Sequence, residues 1–236
     1  SLGKSTLALD FARYAARETS LSVGIFTLEM SKDQVVDRLI SAEAGISLWK
    51  LRTGKLSSEV ENNDFEKIQR ALDTLAQTKI FIDDMTAPTV IQMRAMARRL
   101  QAEHGLGLLI VDYLQLIHTQ HRYESPVHQI SEISKNLKGL ARELNIPIVA
   151  CSQLSRGVES RPDQRPKLSD LRESGSIEQD ADMVLFIYRE DKAKRDAEKT
   201  NIADIIVAKH RNGPTGEVQL YFNEDQVSFK NLAKTF

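Results

Sequence analysis

The chain has 236 residues and a single cysteine, Cys151, so no disulfide can form within it. Cys151 sits in the apolar run 146–151, the setting of a small buried core residue rather than of a nucleophile. Disulfide-stapled secreted scaffolds are excluded, and a reducing compartment, the cytoplasm, is expected. Charge of one sign is missing too: 32 Lys and Arg against 33 Asp and Glu leave a net charge of −1. Any polyanion site must then be a local gathering of cations, because the molecule as a whole steers nothing. No apolar run approaches the roughly 18 residues of a membrane span, and the first residues lack the basic-then-apolar layout of a signal peptide. Membrane insertion is not expected. Of the five histidines, His118 and His121 could share a helical face, yet no Glu, Cys or further His stands at zinc-site spacing. No transition metal is assigned. Neither a Gly-x-Ser-x-Gly elbow nor a Ser-His-Asp pattern occurs, which removes the common hydrolase templates. With 41% hydrophobic and 28% charged residues and no repeat or low-complexity tract, residues 1–236 read as one domain around a main sheet.

What is present starts at once. Ser1-Leu2-Gly3-Lys4-Ser5-Thr6 supplies the last part of G-x-x-x-x-G-K-[ST], and a helix-forming run follows. In such a loop successive backbone N–H groups cradle phosphates, the Lys (here Lys4) reaches the β and γ oxygens, and the Ser hydroxyl (here Ser5) holds Mg²⁺ at a helix N-terminus. The motif's first Gly and the strand before it are expected upstream of residue 1. Short Gly-Lys-Ser strings also arise by chance, so the rest of the chain has to support the nucleotide reading.

Strands and helices alternate from there. Residues 4–19 carry Leu7, Phe11 and Tyr14 at helical spacing, and 22–28 (SVGIFTL) form a strand pattern. Residues 31–44 read as a helix with Ser31 as N-cap; 57–78 read as a long amphipathic helix with Ser58 and Glu61 as a capping box. Four short runs, 79–83, 106–111, 146–151 and 183–188, are almost uniformly apolar, the pattern of strands buried on both faces of a parallel sheet. Helices at 89–103 and 127–144 separate three of them, so right-handed βαβ crossovers and an α/β fold follow. Residues 202–208, 217–222 and 226–230, punctuated by Asn212-Gly213-Pro214, read as an antiparallel extension of the sheet. The least regular stretch is 154–175.

Ligands of open α/β sheets sit at the carboxyl ends of strands. Asp112 closes the run Leu108-Leu109-Ile110-Val111, the form of a Walker B strand whose carboxylate holds the Mg²⁺ hydration shell. Glu29 follows Phe26-Thr27-Leu28, where a carboxylate either deprotonates the water attacking a γ-phosphate or caps the helix after Ser31. Gln153 follows Ala150-Cys151-Ser152, a place from which an amide can sense a γ-phosphate. Asp83 and Asp84 also end a strand and, lacking companion ligands, read as caps.

Five strings now carry a resemblance: Thr27-Leu28-Glu29-Met30; Ile110-Val111-Asp112-Tyr113-Leu114-Gln115-Leu116; Ser152-Gln153-Leu154-Ser155-Arg156; the run 172–182 (RESGSIEQDAD); and the run 209–216 (KHRNGPTG). Their order resembles that of the DnaB family of bacterial replicative helicases over nearly the whole chain. The first two strings suit many RecA-like ATPases; the last two are more specific. The resemblance implies a RecA-like P-loop NTPase domain that uses ATP and Mg²⁺, assembles as a homohexamer, encircles single-stranded DNA and works with a primase and a loader. It implies phosphate and Mg²⁺ contacts for Ser1, Leu2, Gly3, Lys4, Ser5 and Thr6, the Walker B role for Asp112, the base for Glu29 and the γ-phosphate sensor for Gln153. By the same likeness Lys209 and Arg211 reach into the neighbouring subunit's nucleotide, with a solvated edge-strand pair as the plain alternative. Arg172, Glu173 and Gly175 match the loop that grips the DNA backbone without reading bases. Lys135 and Lys138, within the region 118–139, are weaker candidates for a second DNA-facing loop.

The family's collar domain, linker helix and first core strand are not in the sequence, so the isolated chain is expected to bind ATP weakly and to assemble poorly. Self-splicing protein introns interrupt this family's phosphate loop and leave Ser, Thr or Cys first after the junction; Ser1 fits such a junction as it fits a truncated gene. Two other readings stay open: a different RecA-like ring or filament ATPase, of recombinase or clock type, and a fragment that only supplies a binding surface.

Overall fold

The computed structural model describes residues 2–119, 123, 125–158, 160–161, 163–193 and 198–232, without the side chains of Val60, Arg156, Arg172, Glu173, Ser174 and Gly175. Ser1 and His121 lie outside the described residues, and of the candidate DNA loop at Arg172, Glu173 and Gly175 only the backbone is described.

Helix α1 (Lys4–Glu18) leads into strand β1 (Ser22–Thr27), followed by α2 (Lys32–Ala44), α3 (Leu48–Thr53) and α4 (Asp64–Ala76). Then come β2 (Ile80–Asp83), α5 (Val90–His104), β3 (Leu106–Asp112), α6 (Pro126–Leu144) and β4 (Ile148–Ala150). Strands β1 to β4 form one sheet in the order β2-β1-β3-β4, every neighbouring pair parallel. The alternation of strand and helix dictates this, because parallel neighbours need a crossover. One face is covered by α5 and α6, through Met93, Ala97, Ile133, Leu137 and Leu140. The other is covered by α1 and α2, through Ala8, Leu9, Ala12, Val35 and Leu39. With Ile110, Leu109 and Val111 at 0% exposure, β3 is buried on both sides, each such side chain stabilising by about 1.5–3 kcal/mol. Cys151 is buried, as its apolar run implies.

The second sheet is antiparallel: β5 (Met183–Tyr188), β6 (Ile202–His210), β7 (Gly216–Asn223) and β8 (Ser228–Asn231), in that order. The tail is antiparallel as its turn signals imply. The run 183–188 belongs with it, paired antiparallel to β6 rather than parallel to the other apolar strands. Its uniform apolarity reports burial against Leu171 and its neighbours, not strand direction. Leu7 of α1 packs with Ala203, Ile205, Phe222 and Phe229 of this sheet, so α1 serves both sheets. Short α7 (Gly175–Asp180) precedes β5, after a 3₁₀ stretch at Leu168–Ser174.

One helix start differs from its sequence reading. The expected capping box of Ser58 and Glu61 does not form; α4 begins at Asp64 behind Asn63, whose side chain accepts hydrogen bonds from Phe65 N and Glu66 N. Buried Asp64 accepts from Ser57 N at 3.0 Å and Lys50 Nζ at 3.2 Å, and this local cage holds 57–63 out of the helix. Ser31 does form its capping box, with Gln34. Asp83 and Asp84 act as caps: Asp83 accepts from Met85 N, and Asp84 from Lys32 N at the start of α2.

The end of β5 is pinned by Arg189, 0% exposed, which donates to Asp191 at 2.8 Å and Glu224 at 3.1 Å and lies over the Phe222 ring at 4.7 Å. Hydrogen bonds from Lys192 and Lys199, opposed by desolvation and helped by Arg189, pull the Glu224 carboxyl down to about 2 from its ordinary 4.5. A depressed carboxyl stabilises the fold above its unfolded-state value and loses that contribution as pH falls toward its folded-state value. Glu224→Gln is therefore expected to cost about 1–2 kcal/mol near neutrality, the rim of the site being open to solvent. The difference in melting temperature from wild type should shrink between pH 5 and pH 2. A pH-independent difference would place the stabilisation elsewhere.

Candidate nucleotide site

Gly3 starts α1 with φ 99°, a left-handed conformation natural to glycine. A Cβ there would also meet Phe229 Cζ at 2.8 Å, so conformation and space exclude a side chain. No side chain caps this helix start and its first turn holds no acid. Its leading N–H groups, without intrahelical partners, and the positive end of the helix dipole thus face the loop mouth. Ser5 is half-buried; Thr6, 4% exposed, turns its side chain into the core and leaves its backbone N–H in that first turn.

Lys4 Nζ lies 3.6 Å from Asp112 Oδ1 and 4.1 Å from the centre of the Tyr113 ring. Asp112 is 4% exposed, and its Oδ1 has no hydrogen-bond partner. A buried carboxylate oxygen with only an ammonium beyond hydrogen-bond reach fits a hard cation or its water shell, the donor set Mg²⁺ takes. Burial, then the charge of Asp112, raises the Cys151 thiol well above its ordinary value, so it stays protonated beside the carboxylate.

The strand ends stand in register. Thr27 pairs with Asp112, and Leu28 N donates to Asp112 O at 2.7 Å, which places exposed Glu29 at the same rim one strand over. Thr27 Oγ1 donates to Met30 O at 2.9 Å and shapes the turn that presents Glu29. On the other side of β3, Cys151 N donates to Val111 O, and Leu114 N to Cys151 O. Gln153 follows, its backbone clasped by the Gln115 amide while its exposed side chain is left to the rim.

Arg38 of α2 had no motif to announce it. Burial and the like charge of Arg52 pull its guanidinium below the usual value, while Asp112 and Glu29 pull it back; its Nε is buried without a partner. A half-buried cation in the field of both site carboxylates belongs to this site, and only the packing of α2 against the sheet puts it there.

Lys209 and Arg211 are not part of this cluster. Both end strand β6 and bind the carboxyl end of α7: Lys209 Nζ donates to the carbonyls of Glu178 and Ala181, Arg211 Nη2 to Gln179 O. Lys138 is paired with Asp182, and exposed Lys135 borders an open groove of about 530 Å³ between α5 and α6, with Arg94, Arg98 and Arg142. Among the described residues no three His, Cys, Asp or Glu side chains gather to hold a metal ion, and no helix is long and apolar enough to cross a membrane.

A parallel sheet that gathers a glycine-led helix start, a lysine and a buried aspartate at its strand ends defines the RecA-like class of α/β domain. A solved helicase ATPase domain superposes with a TM-score of 0.92 at 37% identity, over 99% of this chain and 82% of that one. A DnaB-like replicative helicase, solved in a study of its interactions with primase, gives 0.92 at 38% identity over 99% and 57%. The chain belongs to the DnaB-like helicase C terminal domain family, which matches residues 1–231. It is 49% identical to the replicative DNA helicase DnaB of Geobacillus stearothermophilus and 48% identical to the replicative DNA helicase DnaC of Bacillus subtilis (strain 168). Each alignment takes in 100% of this chain and 51% of the relative, so the chain spans about half their length.

Proposed function

We propose that this chain is the motor of a cytoplasmic replicative DNA helicase, which hydrolyses ATP to move along single-stranded DNA and unwind the duplex ahead. The observation that carries this is the Lys4 ammonium 3.6 Å from the buried, hydrogen-bond-free Asp112 Oδ1, at the strand ends that also present Glu29. Ser1, Leu2, Gly3, Lys4, Ser5 and Thr6 cradle the phosphates, with Lys4 countering β and γ charge. Ser5 and Asp112 hold Mg²⁺, which neutralises phosphate charge when bound. Glu29 orients the attacking water and takes its proton; Gln153 contacts the γ-phosphate and relays its loss to the loop that follows. Lys209 and Arg211 serve the nucleotide of the next subunit in a ring of six, where a cation stabilises charge developing in the transition state. Arg172, Glu173 and Gly175 contact the backbone of the encircled strand, so binding is blind to sequence. A primase and a loader are the expected protein partners.

The test is unwinding by the full-length gene product on duplexes tailed at one end only. ATP-dependent separation of the 5′-tailed duplex and not the 3′-tailed one is expected. Strand exchange without unwinding would make the protein a recombinase instead.

A further inference from the structure

At the end of β6, Val184 of β5 faces Lys209, Met183 faces His210, and Arg211 N donates to Asp182 O at 2.8 Å, so the ladder runs one step past the strands. Alternation along the strand sends Lys209 and Arg211 to one face, and that face meets α7. Lys209 Nζ takes the carbonyls of Glu178 and Ala181, the latter at 2.8 Å; Arg211 Nη2 takes Gln179 O at 3.2 Å. Two cations thus satisfy the orphan carbonyls of the helix's last turn, where the dipole favours positive charge. Arg211 Nη1 lies 3.0 Å from Asp182 Oδ1, and the other Asp182 oxygen accepts from Lys138 of α6. Lys138, then Arg211 and Arg142, hold the Asp182 carboxyl below the usual carboxylate range, so it stays charged toward Arg211. The six residues of α7 span about 9 Å, and its first residue, Gly175, directly follows the segment of Arg172 and Glu173.

We propose that Asp182 is a positioning residue: braced by Lys138, it seats the Arg211 guanidinium on the carboxyl end of α7 and so sets its reach toward the adjoining subunit's nucleotide. The proposal rests on the trans-acting reading of Arg211. It makes α7 a rigid link, with the trans-acting cations at one end and the DNA-gripping segment at the other. Asp182 has little else to do for the fold. Its side chain is 58% exposed, and exposed ion pairs contribute little stability.

The experiment measures DNA-stimulated ATP turnover, KM, melting temperature and ring assembly of the full-length gene product. Asp182→Asn is expected to lower kcat about 10- to 100-fold, the scale of misplacing a reacting group by about an ångström. KM for ATP, melting and assembly should not change. Asp182→Glu should recover part of the loss, and Lys138→Met should show a smaller fall, because Lys138 acts only through Asp182. An unchanged kcat in Asp182→Asn, or a loss matched by lower melting or fewer rings, overturns the proposal. Arg211→Ala measured alongside separates the two ideas. If it is nearly inactive while Asp182→Asn is normal, the positioning role fails and the trans reading stands; if Arg211→Ala is fully active, both fail.

Discussion

Arg211→Ala is expected to lower ATP turnover of assembled rings about 10³- to 10⁵-fold, the range known for cations supplied across an NTPase interface. The side chain is 45% exposed and ends on α7, away from the Lys4–Asp112 pair of its own subunit, so nucleotide binding by the altered chain should survive. A complementation assay gives the decisive result. Lys4→Ala chains lack a competent phosphate loop but keep Arg211, and Arg211→Ala chains have the reverse lesion. Rings mixed from the two contain interfaces at which every group is intact, so activity should reappear that neither population shows alone. If mixing restores nothing while both proteins still assemble together, Arg211 does not act in trans.

Glu29→Gln carries the second-largest effect, about 10²- to 10⁴-fold in kcat, the usual worth of a positioned general base. Gln has the same shape and can still hold a water by its amide oxygen, but it cannot accept the proton. The turn built on Thr27 and the cap at Ser31 do not use the Glu29 carboxylate, so the fold should be unaffected. Equilibrium binding of ATP should stay within a few-fold of wild type while single-turnover hydrolysis collapses. Retention of more than about a tenth of the wild-type rate would move the base elsewhere and leave Glu29 as a capping acid.

Much of the site was legible in the chain because its residues close apolar runs. Asp112 after four aliphatic residues and Glu29 after the first strand need only the rule that parallel strands expose their carboxyl ends at one rim. The helix caps at Ser31, Asp83 and Asp84 were legible for a similar reason, since capping is settled within a few residues. The start of α4 was misread because Asn63 and the cage around Asp64 outcompete Ser58 for the same helix end, and that cage needs Lys50 from α3. Strand direction in 183–188 was misread because an apolar run reports how many faces are buried and not the direction of the partner. Arg38, Tyr113 over Lys4, and Asp182 under Arg211 were invisible as site neighbours: each is brought to its partner by packing between elements remote in sequence or by a side-chain orientation that no spacing rule states.

By itself the amino-acid order determined the class of fold, the rim on which the chemistry lies and the family likeness, since all three follow from periodicity, run endings and short local strings. Tertiary structure alone decided that the tail and 183–188 form a sheet of their own, that Arg38 enters the field of Asp112 and Glu29, and that Lys209 and Arg211 dock on α7. Local patterns record only which faces of an element are buried. Which element covers them, and so which charges meet, is settled when helices and strands far apart in the chain compete for the same apolar surface.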